Sequence, residues 1–218
     1  MLRHGTLAGR RAGLGLLALL GLTLTGCTAP GLHTTARPLG SGTARVVMLT
    51  EGAVTYDRTK SSPFLVQSVT YEYGLPLRIS LGATFYGIAL AGFGKVTFLD
   101  EDAAACALHG RYLGGAYNQK SGDVNLLCTL GRRDGRVSLT LSTGGWRASG
   151  YAPRISTLGS SSSNIDYDGF GFRAGAMTEL RLNRQWRFVL EAAGGSLVTG
   201  THPGMSTISV GLGPRVEW

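Results

Sequence analysis

Helical patterning is almost missing from this chain. Beyond the first 26 residues hardly any stretch repeats its apolar residues every three to four positions, so a helical bundle is excluded and the Val, Thr, Phe, Tyr and Trp content points to strands. Cysteine is scarce: three in 218 residues make no disulfide scaffold. No HExxH, paired-Cys metal motif or nucleophile elbow occurs. The net charge of +8 comes without a cluster of five basic residues, so no nucleic-acid footprint exists. The N-terminal apolar run, Ala12 to Leu24, has 13 residues and is too short to cross a bilayer as a helix.

That run has a specific context. Arg3, Arg10 and Arg11 precede it with no acid, the layout of a secretory signal, and Leu24-Thr25-Gly26-Cys27 ends it. These four residues resemble the lipobox of bacterial lipoprotein signal peptides, a resemblance confined to the first 27 positions. It implies cleavage before Cys27, three acyl chains on Cys27 and contact with the lipoprotein-processing machinery. Two or more chains anchor a protein stably in a membrane. Thr28, where Asp marks inner-membrane retention in well-studied lipoproteins, implies export to the outer membrane. The domain organisation expected is therefore a signal peptide at 1–26, a lipidated cysteine with a flexible tether at 27–43, and a folded body at 44–218. The tether reading rests on Pro30, Pro38, Gly31, Gly40 and Gly42. Three arginines leave with the signal, so about five net positive charges remain, spread thinly.

The body alternates. Ile208, Val210, Leu212, Val216 and Trp218 are interleaved with Thr207, Ser209, Gly211, Gly213, Arg215 and Glu217, a period of two. The same pattern recurs around Phe170 to Leu182, Trp186 to Ala192, Val124 to Leu130 and Val137 to Ser142. Asp134-Gly135 is a two-residue hairpin signal that sets Leu130 against Leu139 and Cys128 against Leu141. A turn at Asn183-Arg184-Gln185 sets Leu180 against Phe188 and Arg181 against Arg187. Faces match across both turns, as pairing demands. Up to ten strands follow, at 44–56, 63–73, 77–88, 92–99, 104–117, 123–132, 136–149, 167–182, 186–199 and 205–218. The charge-free stretch 79–94 reads as paired strands rather than a helix because of Gly82, Gly87, Gly92 and Gly94.

Alternation alone leaves two architectures open, since a soluble sandwich buries the apolar face and a membrane barrel exposes it. Strand length near the 9 to 11 residues of a tilted membrane strand, a polar face rich in Gly, Ser and Thr, and long loops at one end favour the membrane form. Aromatics near strand ends (Tyr73, Phe85, Tyr112, Trp146, Tyr167, Trp186, Trp218) suit an interfacial girdle. Gly213, Val216 and the terminal Trp218 resemble the C-terminal signal read by the outer-membrane barrel-assembly machinery, with Pro214 as a departure that requires a position needing no ladder donor. The expected fold is all-β, an antiparallel up-and-down β-barrel of eight to ten strands. An even strand count returns both ends to one side, expected to be periplasmic, with the Ser-rich loop at 150–166 outside the cell.

Six charges on the inward face, Arg173, Glu179, Arg181, Arg187, Glu191 and Arg215, are expected to form a luminal ion-pair network. His109 is the one candidate general base on a strand; a hydrogen-bonded lumen histidine is the simpler reading. A hairpin centred near residue 120 places Cys106 about 20 Å from Cys128 at strand rise, so two free, lipid-facing thiols are expected. The leading functional reading is a monomeric, lipid-anchored outer-membrane barrel with a structural or narrow-transport role, no catalysis, no cofactor, no metal and no nucleic-acid partner. Its partners would be membrane lipid and the two machineries named above. The alternatives are a tethered periplasmic soluble barrel or sandwich holding an apolar ligand, and an outer-membrane lipid-modifying enzyme.

Overall fold

The computed structural model describes residues 31–57, 60–87, 89–115, 120–152 and 165–218. The signal peptide, Cys27 and most of the Ser-rich loop lie outside the described residues. Ten strands carry the fold: β1 (Ala44–Asp57), β2 (Lys60–Leu75), β3 (Ile79–Tyr86), β4 (Ala89–Asp100), β5 (Ala104–Gly115), β6 (Lys120–Leu130), β7 (Val137–Ala152), β8 (Ile165–Arg181), β9 (Trp186–Gly200) and β10 (Ser206–Glu217). Each pairs antiparallel with its sequence neighbours, and β10 pairs with β1 to close a barrel. Closure removes the sandwich alternative. A 12-residue strand tilted near 40° rises about 30 Å along the axis, the thickness of a bilayer's hydrocarbon core.

Short turns fix the register as their chemistry dictates. Leu130 faces Leu139 and Cys128 faces Leu141 across the Asp134-Gly135 turn, where the Gly135 N–H bonds the Arg132 carbonyl. Leu180 faces Phe188 and Arg181 faces Arg187 across the next terminus-end turn. The β5–β6 hairpin differs from expectation. Its centre lies three residues earlier than residue 120, which places Cys106 directly opposite Cys128 with 4.2 Å between their Cα atoms, and the two form a disulfide. The expected free thiols are thus corrected: the segment 116–119 carries no two-residue turn signal to pin its register, and a centre at residue 120 is wrong.

Which face is buried settles the inside-out question. Outward positions carry Met48, Leu81, Leu108, Val124, Leu190 and Val210, with Leu108 53% and Val124 63% exposed. Inward positions carry Glu72, Lys95, His109 and Asn125, all essentially without solvent exposure. Tyr73, Phe85, Tyr112, Trp186 and Trp218 point outward. Trp146 does not. It is buried against Ala148, Leu197 and Met205, because it follows Ser138, Thr140 and Ser142 at even spacing and so shares their inward face.

Residues 31–43, expected as a leash outside the body, instead run back into the lumen. From Gly42 and Thr43, which bond Gly74 at the end where β1 begins and β10 ends, the chain climbs inside the barrel as far as Gly31. Leu32, His33, Thr34, Thr35, Ala36 and Leu39 are at most 3% exposed. Small and hydroxyl-bearing residues read as flexible from composition are also what a polar lumen accepts.

Pro214 sits at the closing seam. The β1–β10 ladder lapses at Met48 and Leu49, the residues facing Pro214 and Gly213, so the proline, which has no N–H to donate, stands where that ladder carries no pairing. At Gly213 any Cβ would collide with the Met48 carbonyl, which explains glycine there.

Candidate functional site

The lumen is the site, and strand parity builds it. Inward positions bring Arg45 and Glu51 from β1, Glu72 from β2, Lys95 from β4, Arg111 from β5, Asp123 from β6, Arg173 and Glu179 from β8, Glu191 from β9 and Arg215 from β10 into one buried column. A charge in such a space is costly unless paired, and each carboxylate here has a cation.

Three clusters stack along the axis. Nearest the strand termini, Arg215 contacts Glu179 and lies 2.7 Å from Glu217; Arg45 bridges Glu217 and Glu72 at 3.2 Å each; Lys95 lies 2.6 Å from the second Glu72 oxygen. At mid-height, His33 lies 3.0 Å from both Glu51 and Glu191. Nδ1 hydrogen-bonds Glu191 and the charge of Glu51 stands beside Nε2, so the two carboxylates favour the charged imidazole. Toward the opposite end, Asp123 lies 2.6 Å from Arg111 and 2.8 Å from Arg173, and Asn125 donates to its other oxygen.

Backbone and side chains of the N-terminal segment are tied to these clusters at every step. Arg37 donates to the carbonyls of Glu101, Asp102 and Gly131 at the turns of the terminus end. Thr97 donates to the Ala36 carbonyl, and the Ala36 N–H donates to Thr129. Lys95 donates to the carbonyls of Thr35 and Arg37, and Thr34 donates to Glu72. The Leu32 N–H donates to Glu191 at 2.7 Å, and Arg111 donates to the Gly31 carbonyl at 2.7 Å. Leu32 and Ala36 pack on Ala105, Ala107 and Leu127, an apolar strip of the wall. The segment is a plug built into the barrel. Voids beside it include one of about 160 Å³ among Arg37, Arg45, Arg187, Arg215, Glu179 and Glu217, and one of about 20 Å³ beside Arg111, Asp123 and Arg173. The smaller has room for about one water molecule.

Of the six charges singled out from sequence, five face the lumen but belong to different clusters. Glu179, Arg187 and Arg215 share the terminus-end group, with Arg187 4.0 Å from Glu179. Arg173 joins Asp123, and Glu191 joins His33. Arg181 stands at the rim, donating to the carbonyls of Asn183 and Asp134. Val216 pairs with Val46 and Trp186, and Trp218 exchanges two backbone bonds with Ala44 while its ring stays exposed. Sequence reasoning missed Arg45, Glu51, Glu72, Lys95, Arg111 and Asp123. Each stands between uncharged neighbours within an alternating strand, and carrying the parity through β1 to β6 would have found them.

His109 is fully buried against the Phe93 ring at 5.1 Å, and neither ring nitrogen has a hydrogen-bond partner among the described residues. The expected hydrogen-bonded histidine is corrected to a packed one. A general base needs a group to orient it, and among the described residues no hydrogen bond orients this ring. No group of three or more His, Cys, Asp or Glu suited to a metal occurs among the described residues.

No family model and no curated protein matches the chain. Solved structures similar to it include Neisserial surface protein A, at 9% identity over 82% of this chain and 100% of that one with a TM-score of 0.46. Ail, the attachment invasion locus protein of Yersinia pestis, is 11% identical over 82% and 100% with a TM-score of 0.42. The N-terminal β-barrel domain of Pseudomonas aeruginosa OprF is 10% identical over 83% and 100% with a TM-score of 0.39. These are likenesses of barrel architecture.

Proposed function

We propose that this chain is an outer-membrane protein whose barrel spans the bilayer, whose strand termini face the periplasm, and which carries a lipid on Cys27. Its role is structural: the lumen is filled by the protein's own N-terminal segment rather than left open to solutes. The observation that carries this reading is the inverted burial, with Leu108 and Val124 outside and Lys95, Glu72 and the His33 clamp inside. Only hydrocarbon accepts such an outer surface without loss. Membrane lipid, the lipoprotein-processing machinery and the barrel-assembly machinery are its partners, the last through Gly213, Val216 and Trp218. The protein acts as a monomer.

The plug bears on the rival readings. A lumen lined by charges and occupied by residues 31–39 disfavours an apolar ligand, and narrow transport requires that residues 31–39 be displaced. Detergent extraction followed by gel electrophoresis tests the proposal. The unboiled protein should migrate differently from the boiled one, and the wild type in planar bilayers should give no stepwise conductance. A Cys27→Ser protein that stays monomeric without detergent would overturn the membrane reading.

A further inference from the structure

We propose that the terminus end of the lumen holds a binding site for a phosphate group, set in the void of about 160 Å³ between plug and wall. This adds a ligand to the structural role given above. The site does not depend on the bilayer reading, which only fixes the face of the membrane to which it opens.

Six guanidinium groups border the void: Arg37 from the plug, Arg45, Arg187 and Arg215 from the wall, and Arg132 and Arg133 from the turn between β6 and β7. Carboxylates are outnumbered there. Among side chains that border the void or pair with those that do, Arg37, Arg132 and Arg133 pair with Asp100 and Asp102, and nearby Asp134 is taken by Arg181. Arg45, Lys95, Arg187 and Arg215 share Glu72, Glu179 and Glu217. Each group carries one positive charge in surplus. Together they match a phosphate group, whose charge near neutral pH is about −1.5 to −2.

Donors stand ready around the space. Among the described residues Arg187 has no carboxylate closer than 4.0 Å. Arg215 is 4% exposed, and its buried Nε has no hydrogen-bond partner among the described residues; a guanidinium N–H in that position costs stability unless something accepts from it. The Thr35 hydroxyl, also on the lining, accepts from Arg45 and keeps its own proton to donate. Glu179 and Glu217 border the void as well, but both are engaged: Glu217 by Arg45 and Arg215, Glu179 by Arg215 and the Ser138 hydroxyl. Guanidinium forks match the paired oxygens of a phosphate, whereas chloride uses neither the forks nor the second charge.

The approach is through water. Arg45, Thr129, Ser138, Glu179 and Arg215 are buried inward residues, and Arg132 and Arg133 stand exposed in the turn at the mouth. A phosphate entering past the two exposed arginines meets the two buried ones without crossing the lipid-facing wall. The ligand class is therefore a water-borne phosphate, inorganic or at the end of a small molecule.

The test uses the full-length protein in detergent, dialysed to equilibrium against labelled inorganic phosphate in a chloride buffer. Saturable binding of a single phosphate per chain is expected, displaced by glycerol 3-phosphate and not by an equal concentration of chloride. Arg187→Gln should weaken binding at least about tenfold, as loss of a charge-assisted contact does, with heat-modifiable gel mobility intact. Arg147→Gln, toward the opposite end of β7, should leave binding unchanged. Should Arg187→Gln fail to fold, Arg132→Gln combined with Arg133→Gln in the exposed turn reads the same site and should also weaken binding. No saturable binding in the wild type, or binding indifferent to these substitutions, would overturn the proposal. Displacement by phosphatidic acid micelles but not by glycerol 3-phosphate would overturn the water-borne source and assign the phosphate group to a lipid. Phosphate binding by a protein recovered outside the membrane fraction would support the site and count against the outer-membrane reading alone.

Discussion

His33 Nε2 lies 3.0 Å from Glu51 while Nδ1 lies 3.0 Å from Glu191, so one plug side chain joins two wall strands, β1 and β9, that are separated by β10. Ser68 also donates to Glu51, and the Leu32 and His33 amides donate to Glu191. His33 alone supplies the ring contact to both.

Removing that ring should therefore be expensive. His33→Ala leaves two buried carboxylates without their cation, a loss of about 3–5 kcal/mol by analogy with broken buried pairs. The thermal midpoint of the gel-mobility shift should fall markedly, and combining His33→Gln with Glu51→Gln and Glu191→Gln should recover part of it. An unchanged midpoint in His33→Ala would show that the clamp does not hold the plug.

Deleting residues 31–39 while keeping Gly40 to Thr43 should leave the barrel standing, since all ten strand pairings lie outside the deletion. Silent wild-type bilayers should give way to discrete conductance steps. If the shortened protein folds and stays silent, the wall charges themselves close the lumen.

The outer face makes an opposite pair of substitutions informative. Leu108→Arg and Val124→Arg place a cation against hydrocarbon and should each cost about 2–4 kcal/mol in lipid near the bilayer midplane. Leu77→Arg, in the terminus-end turn and 86% exposed, should cost little. Equilibrium unfolding in vesicles measures all three, and equal effects would count against a spanning wall.

Cys106 and Cys128 should resist thiol-specific alkylation until reduced. Bonding residues 22 positions apart restrains the unfolded chain by about 3 kcal/mol on the loop-entropy account. Replacing both with serine should lower the unfolding midpoint without changing the plug. Ready alkylation of the unreduced folded protein would rule the bond out.

The strands are readable because alternation over ten or more residues has one meaning for parity, and the hairpins at Asp134-Gly135 and Asn183 to Gln185 because their turns pin the register. The β5–β6 hairpin is not. Its connection, 116–119, has no such signal, and three residues of error at the centre become a six-residue separation between Cys106 and Cys128, which in fact touch. Trp146 shows the same dependence on parity from the other side: its place at a strand end suggests a girdle, whereas counting from Ser142 puts it inside. The plug is hidden for a different reason. Gly31 to Thr43 has the composition of a linker, and its partners, Glu191, Lys95, Thr97 and Thr129, are scattered over three strands. Nothing local in the sequence distinguishes a hydroxyl that bonds water from one that bonds a wall carboxylate.

The lapse of pairing at Met48 and Leu49, opposite Pro214 and Gly213, moves the burden of that joint from backbone to side chains. Val47 and Leu49 pack with Met177 and Val189 on the inner face, so the hoop is held at its closing stitch by apolar contact where the ladder falls silent.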